Sequence, residues 1–353
     1  MDNPDTPSPK SDKPAPSMRG APTIRDVARM AGVSIGTVSK ALNAGGRLRQ
    51  ETRDTVIKVA REIGYRPNDL AQSLHRAKSR TIGIISNDSF GRFTFPIVEA
   101  LEERLADEGI AVFMCNATDD PARERQHLDQ LLGKRVDGLV VTARRADKRV
   151  PIGPLAHGVP VIYVFSQADD PHSLSLLPDD EGGAALGVAH LAAIGRKRIA
   201  HITGPEHFEA VRLRKAGYLG ALKTAGLSPS DDLYLPGVWS EAWGREAIGH
   251  LFGRKKTSDA LFCGNDQIAR GAADALRDRG LSVPDDVAIV GFDNWEVMAL
   301  AARPPLTSVD MNLRTLGREA GERLLEMIGG KRVRGVWRRP CSLVVRQSTV
   351  AEA

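Results

Sequence analysis

Residues Thr23 to Asn43 constrain this chain more than any other stretch, because they read as two short helices split by a glycine turn. Ile24, Val27, Ala28 and Ala31 fall at helical spacing and give the first helix one apolar face. Thr23 is a favoured N-cap residue, and Asp26 puts a carboxylate in the first turn, where the helix end is positive. Gly32 supplies the permissive backbone that the turn needs. Ser34 is placed to cap a second helix, whose Val38, Ala41 and Leu42 point back at the first. The outer face of that second helix then carries Ile35, Gly36, Thr37, Ser39, Lys40 and Asn43. Small, polar and cationic side chains of this kind suit the major groove of a duplex. On spacing alone, an ordinary helical hairpin with a solvated face fits equally well. A third amphipathic run, with Thr55, Val56, Val59, Ala60 and Ile63, is enough to close a small three-helix core.

Charge concentrates on the same segment. Between Met18 and Arg80, thirteen Lys and Arg face five acids, whereas the whole chain carries only +5, so the remainder is slightly acidic. Such localisation suits phosphate binding better than general solubility. At 353 residues the chain is long enough for more than one domain and a large core. Cys115, Cys263 and Cys341 lie far apart without metal-ligand spacing, and reduced, mostly buried thiols are expected. No apolar run reaches membrane-spanning length and no signal-like segment opens the chain, so a cytoplasmic location is expected.

In chain order, residues 1–21 are rich in Pro, Ser, Asp and Lys and have little to bury, which predicts a disordered tail. A helix-turn-helix headpiece is expected over 22–66 and a hinge helix with linker over 67–80. Pro67 disfavours helix at Arg66, and a helix from about Asn68 to His75 is too short to persist alone in water. From Thr81 onwards, apolar strand-like runs alternate with amphipathic helices. Strands are expected at 81–86, 110–116, 137–143, 160–166, 174–177, 198–204, 259–264 and 287–293. Helices are expected at 96–108, 122–134, 183–194, 210–225, 242–252, 267–279 and 313–328. Continuous apolar strands between amphipathic helices predict parallel sheets covered on both faces. A ligand then belongs beyond the carboxyl ends of the strands.

The pieces Asp26-Val27-Ala28, Ala31-Gly32-Val33-Ser34, Thr37-Val38-Ser39, Leu42-Asn43, Glu51-Thr52-Arg53, Gly64-Tyr65-Arg66-Pro67-Asn68 and Ala71-Gln72-Ser73-Leu74 stand in one register. Together they resemble the DNA-binding headpiece of the lactose-repressor (LacI/GalR) family of bacterial transcription regulators. The resemblance continues in Arg135-Val136-Asp137-Gly138, Thr203-Gly204-Pro205, Arg212 to Tyr218, Phe262 to Asp266, Val290 to Asn294 and Pro305 to Val309. It implies an α/β fold class: an N-terminal all-α helix-turn-helix headpiece plus a two-lobed periplasmic-binding-protein-like α/β core with parallel sheets. The core would span 81–353, with an N-lobe of about 81–177 and 310–333 and a C-lobe of about 178–308 and 337–350. Crossovers would lie near Leu177, Leu306–Asn312 and Arg334–Arg338. No leucine heptad follows the final strand-like run, Ser342–Gln347, so a homodimer is expected rather than a tetramer.

The implied function is a repressor of double-stranded, pseudo-palindromic operator DNA controlled by a small-molecule effector. A carbohydrate stands first, with a nucleobase or other metabolite behind it; no cofactor, metal or membrane is implied. The resemblance gives base-reading positions to Ile35, Gly36 and Lys40, although Lys40 can equally bind a phosphate, and Thr23, Ser34, Thr37, Ser39 and Asn43 can donate to phosphates. Arg47 and Arg49 would add loop contacts. Asn68, Ala71 and Leu74 belong to the hinge, where Leu74 would wedge into the minor groove, with plain packing as its alternative. For the effector, Arg214 is the expected clamp, with Asp293 and Asn265 or Asp266 as acceptors after strands. Trp239 offers a ring face for stacking or simply packs, and Phe93 with Phe95 would form the opposite wall. Asp179 and Asp180 are weaker candidates near the lobe junction.

One departure stands out: Phe165 occupies a position where many members carry an aspartate, and Met311 one where some carry a polar contact. Losing that acceptor points to a less common sugar or to a ligand that is not a sugar. An enzyme reading finds no nucleophile elbow, phosphate-cradling loop or metal-ligand cluster in the sequence. A plain solute-binding protein would share the lobes but not the basic headpiece.

Overall fold

The computed structural model describes residues 21–42, 48–66, 78–153, 158–253 and 258–350. Asn43, Arg47, Asn68, Ala71 and Leu74 lie outside the described residues, as do residues 1–20 of the expected tail. Two compact units divide the chain, Met1–Ser79 and Arg80–Ala353.

The first unit contains helices α1 (Ile24–Met30), α2 (Ile35–Leu42) and α3 (Gln50–Glu62). Thr23 donates to the Asp26 carboxylate from both its backbone N and its Oγ1, at 3.0 and 2.7 Å, which fixes the first turn of α1. Gly32 takes φ +67 between α1 and α2, where a side chain would be strained. Ser34 Oγ accepts from Thr37 N at 3.1 Å and so starts α2. Val27, Ala28, Val38, Ala41, Val56 and Ala60 close the buried core that the helical spacing predicted. Arg53 ties α3 to α2 by donating to Ala41 O at 3.2 Å.

The second unit holds two six-stranded sheets. In the first, the order is β13 (Gly335–Arg339), β7 (Leu174–Pro178), β5 (Val161–Val164), β3 (Gly138–Thr142), β1 (Thr81–Ser86) and β2 (Ala111–Asn116), all parallel. In the second, it is β14 (Ser342–Val344), β12 (Thr307–Asp310), β11 (Ala288–Phe292), β10 (Ala260–Cys263), β8 (Ile199–Thr203) and β9 (Tyr234–Pro236), with only β14 antiparallel. A short ladder pairs β4 (Lys148–Arg149) with β6 (Gln167–Ala168). Helices α4 (Thr94–Ala106), α5 (Pro121–Gly133) and α11 (Leu313–Ile328) pack on the first sheet. Helices α6 (Asp180–Ala193), α7 (Glu209–Thr224), α8 (Glu241–Phe252) and α9 (Asp266–Asp278) belong with the second, as does the single turn α10 (Glu296–Ala299).

Strands β3, β7, β8 and β11 are buried along their whole length, which is why their sequences are mostly apolar. The edge strand β2 instead exposes Phe113 and Met114. One boundary differs from the sequence reading. Residues 335–339 pair with β7 in the first sheet, and the chain returns to the second sheet only at Ser342. Being a half-buried edge strand, β13 has no apolar run to announce which sheet it joins. The elements that sequence patterning missed, β4, β6, β9 and α10, are each too short to show a period.

All three cysteines are free; Cys263 and Cys341 are buried and Cys115 is half-buried. No helix among the described residues is long and apolar enough to cross a membrane.

Helices α6 and α7 approach so closely that a Cβ on Gly217 would lie 2.1 Å from the Glu181 carbonyl oxygen. Gly217→Ala is expected to destabilise the core by about 1–3 kcal/mol through overpacking. Gly220→Ala, on the same helix with no atom within 4 Å, should be neutral or stabilising. Urea unfolding of the two variants checks this; equal midpoints would show that the helices separate freely.

Candidate functional site

On the first unit, α2 presents Ile35, Gly36 and Lys40 as exposed residues, with Ile35 at 46% exposure despite its apolar side chain. Ser39 lies on the same side of the helix, four residues from Ile35. The Ser34 and Thr37 hydroxyls sit 2.9 Å apart at the start of α2, and Thr23 stands exposed at the start of α1. Arg49, also exposed, is the N-cap residue of α3. The arrangement offers a donor-rich face with one cation and one apolar tip, backed by the buried core.

In the second unit, the candidate residues meet at the carboxyl ends of the strands. Asp293 and Asn294 follow β11 with φ of 98 and 48, and Phe165 follows β5 with φ 53. Such conformations cost about 1–3 kcal/mol each for residues other than glycine. Surrounding bonds hold the bend after β11. Asn294 donates from N to Ser308 Oγ at 3.0 Å and from Nδ2 to Asp310 Oδ2 at 2.9 Å, and its Oδ1 accepts from Arg346 at 2.8 Å.

The bend turns Asp293 inward, where two guanidinium groups converge on its carboxylate. Arg92 Nη2 makes a direct ion pair with it, and Arg214 Nη2 lies 3.7 Å away. Arg92 comes from the loop after β1 in the first lobe, so this pair bridges the two lobes. Its guanidinium carbon lies 4.8 Å from the Phe93 ring centre and 4.5 Å from that of Trp295, and Nη1 donates to Gln267 at 3.3 Å. Burial pushes the Arg92 pKa down to about 10, which still leaves it cationic at neutral pH. Phe93 in turn stacks on Phe165 with ring centres 4.7 Å apart.

Arg214 is bound internally more fully than a free clamp would be. Nε donates to Asp180 at 2.8 Å, Nη1 donates to the Gly264 carbonyl, and Nη2 reaches Asp180 at 2.7 Å and Met311 Sδ at 3.9 Å. Its guanidinium also covers the Phe292 ring at 3.6 Å. Arg214 thus acts as a strut that steadies Asp293 and the loop after β10. Asn265 Oδ1 caps α9 by accepting from Ile268 N at 2.9 Å. Asp266 accepts from Ser308 Oγ and from Trp295 N, both at 2.6 Å. Both side chains spend acceptors on the cleft wall that the sequence reading assigned to a ligand. Trp239 packs so tightly on Gly204 that a Cβ there would come within 2.2 Å of its ring, and Arg214 lies 6.0 Å from the ring centre. Phe95 does not join Phe93 in the wall; it is 60% exposed and lies over Gly91. Asp179 caps α6 through Gly182 N at 3.0 Å.

Sequence reasoning missed Arg92, Gln267 and Trp295. The rule that selected Asp293, a polar group just beyond a strand's carboxyl end, also covers Arg92, but Arg92 falls in none of the family-like pieces. It missed a second tie between the lobes as well. Asp147, after β3, accepts from Glu209 N at 2.8 Å in the first turn of α7, whose own N-cap residue Phe208 provides no side-chain bond.

A helix-turn-helix unit followed by a two-lobed α/β core with a charged, aromatic cleft defines a class, the ligand-responsive DNA-binding regulators. Residues 23–68 match the profile of bacterial regulatory proteins of the lacI family, and residues 188–349 match that of the periplasmic binding protein-like domain. The HTH-type transcriptional repressor PurR of Haemophilus influenzae (strain PittEE) is 33% identical over 311 residues, covering 88% of this chain and 92% of the relative. That of Pasteurella multocida (strain Pm70) is 31% identical over 328 residues, covering 92% and 98%. Among solved structures, the lac repressor dimer bound to operator and the anti-inducer ONPF aligns with a TM-score of 0.76 at 30% identity, over 94% of this chain and 100% of that one. A complex of the transcriptional regulator CelR with cellobiose aligns at 0.64 and 29% identity, over 93% and 99%. This chain belongs to the lacI family of bacterial regulatory proteins.

Asp266 provides a pH test of the cleft wall. Burial pushes its carboxyl up to about 6, so the folded protein holds the proton more tightly than the unfolded chain. The stability this contributes is present below about pH 4 and is lost as pH rises through about 6. The unfolding free energy of the wild type minus that of Asp266→Asn should therefore fall by about 1–3 kcal/mol between pH 4 and pH 7. A flat difference would show an ordinary, solvated carboxyl.

Proposed function

We propose that this protein is a transcriptional repressor that binds a pseudo-palindromic operator as a homodimer, under control of a small molecule held between its lobes. The observation that carries the proposal is the lobe-bridging charge chain Arg92, Asp293, Arg214, Asp180 at the strand ends. A ligand there must change how the lobes meet. It alters operator affinity only as far as it binds the two lobe arrangements with different affinity. Support for the DNA half comes from the exposed Ile35, Gly36 and Lys40 face and from relatives named as transcriptional repressors. The solved relative bound to operator is a dimer.

For the ligand, rings from Phe93, Phe165 and Trp295 stand near one carboxylate. A carbohydrate can lay an apolar ring face on an aromatic and give hydroxyl protons to Asp293. One relative of known structure is a complex with cellobiose. A second reading, a nucleobase or similar flat heterocycle, is favoured by the stacked Phe93–Phe165 pair, which replaces a hydroxyl acceptor with a second aromatic face.

Fluorescence anisotropy with genomic fragments at physiological salt tests the operator claim; no preference for any fragment over random duplex would overturn it. Lys40→Ala should cost about 1–3 kcal/mol on the cognate site and flatten discrimination between half-site variants if Lys40 reads a base. A uniform loss with a smaller salt slope would place it on a phosphate instead. Leu74→Ala, at the hinge position given by family resemblance, should weaken operator binding at least about tenfold while leaving ligand affinity unchanged. Equal operator affinity would remove the wedge.

A further inference from the structure

We propose that Arg92 is a tethered stand-in for the ligand, which clasps the lobes in its absence and which any ligand must displace from Asp293. The inference rests on the reading of the cleft as the ligand site. The guanidinium is a planar group with flat contact faces, and here it is held as a ligand would be. It packs against the rings of Phe93 and Trp295, binds the Asp293 carboxylate, and donates to Gln267. The group comes from the loop after β1, whereas Asp293, Gln267 and Trp295 all belong to the second lobe.

Two observations mark Arg92 as a displaceable occupant and not as a fixed strut. Its Nε is buried with no hydrogen-bond partner, so the second lobe does not satisfy it. Arg214 offers the contrast, since its Nε, Nη1 and Nη2 all have partners. Displacement does not strip Asp293 of every counter-ion. Arg214 still stands 3.7 Å from Asp293, so the carboxylate keeps a counter-ion when Arg92 departs. Arg92 keeps 13% of its side chain accessible. Asp147 and Glu209 N then remain as the second tie between the lobes.

The consequence is selectivity. A successful ligand must bring N–H or O–H donors to Asp293 and a flat face to Phe93 and Trp295, matching what Arg92 already supplies. Simple anions cannot take over Asp293. Even a well-matched ligand meets competition from a side chain at high effective concentration.

The test removes the tether and supplies its head group. Arg92→Ala and Arg92→Met are titrated with methylguanidinium in the full-length protein, and binding is read by calorimetry and tryptophan fluorescence. The alanine variant should bind methylguanidinium saturably, and at least about tenfold more tightly than wild type does. Methylammonium, with the charge but not the planar fork, should bind at least about tenfold more weakly than methylguanidinium. Adding Asp293→Asn to the alanine variant should abolish the binding. Equal binding by wild type and Arg92→Ala, or none by either, overturns the proposal. So does failure of both single variants to fold, because that would make Arg92 a structural strut. The readout needs neither operator nor natural ligand. Failure here with operator binding intact removes only the stand-in. Success here without operator preference removes only the repressor reading.

Discussion

A single carboxylate, that of Asp293, is shared by guanidinium groups from opposite lobes, and the cleft is organised around that sharing. Burying one carboxylate against one guanidinium is at best close to neutral in free energy, because desolvation offsets the attraction. Two cations on one anion would be worse, and the balance is restored by Asp180, which holds Arg214 from the other side. The four groups alternate in sign along the chain from Arg92 to Asp180. Because Arg92 belongs to the first lobe and Asp293 to the second, lobe closure and the pairing of Asp293 are one event.

The strained backbone after β11 serves the same end. Positive φ at Asp293 and Asn294 turns the carboxylate into the cleft, and the conformation persists because Asn294 is tied to Ser308, Asp310 and Arg346. Phe165 after β5 is strained in the same sense and gives its ring to Phe93. An aspartate at that place could only have accepted hydrogen bonds; the phenylalanine converts a polar corner into a stacking surface. The side chains that look most like ligand contacts in sequence, Asn265 and Asp266, are spent on capping α9 and on holding Ser308 and Trp295.

Much of the fold was legible beforehand because parallel strands buried on both faces must be continuously apolar. β1 lies at 81–86 and α11 at 313–328, the same bounds that their patterns predict. The headpiece core followed from helical spacing at Val27, Val38, Val56 and their neighbours. What escaped were elements without a period: the two-residue ladder of β4 and β6, the short β9 and the single turn α10; a crossover was expected at Arg334–Arg338, but not the sheet that β13 joins. In the cleft, Asp293 was legible from its place after an apolar strand. Arg92 was not, since nothing in a loop sequence says which lobe its side chain will reach.

By itself the sequence determined the segregation of positive charge into residues 18–80, the helix-turn-helix pattern with its caps, and the alternation of strands and helices that requires covered parallel sheets. These follow from local spacing and composition, which depend on neighbours a few residues apart. Only the tertiary structure decided that Arg92 meets Asp293 across 201 positions of chain, that Arg214 is a strut, and that residues 335–339 join the first sheet. Pairings of that kind depend on how the two sheets close over each other, and no local pattern records it.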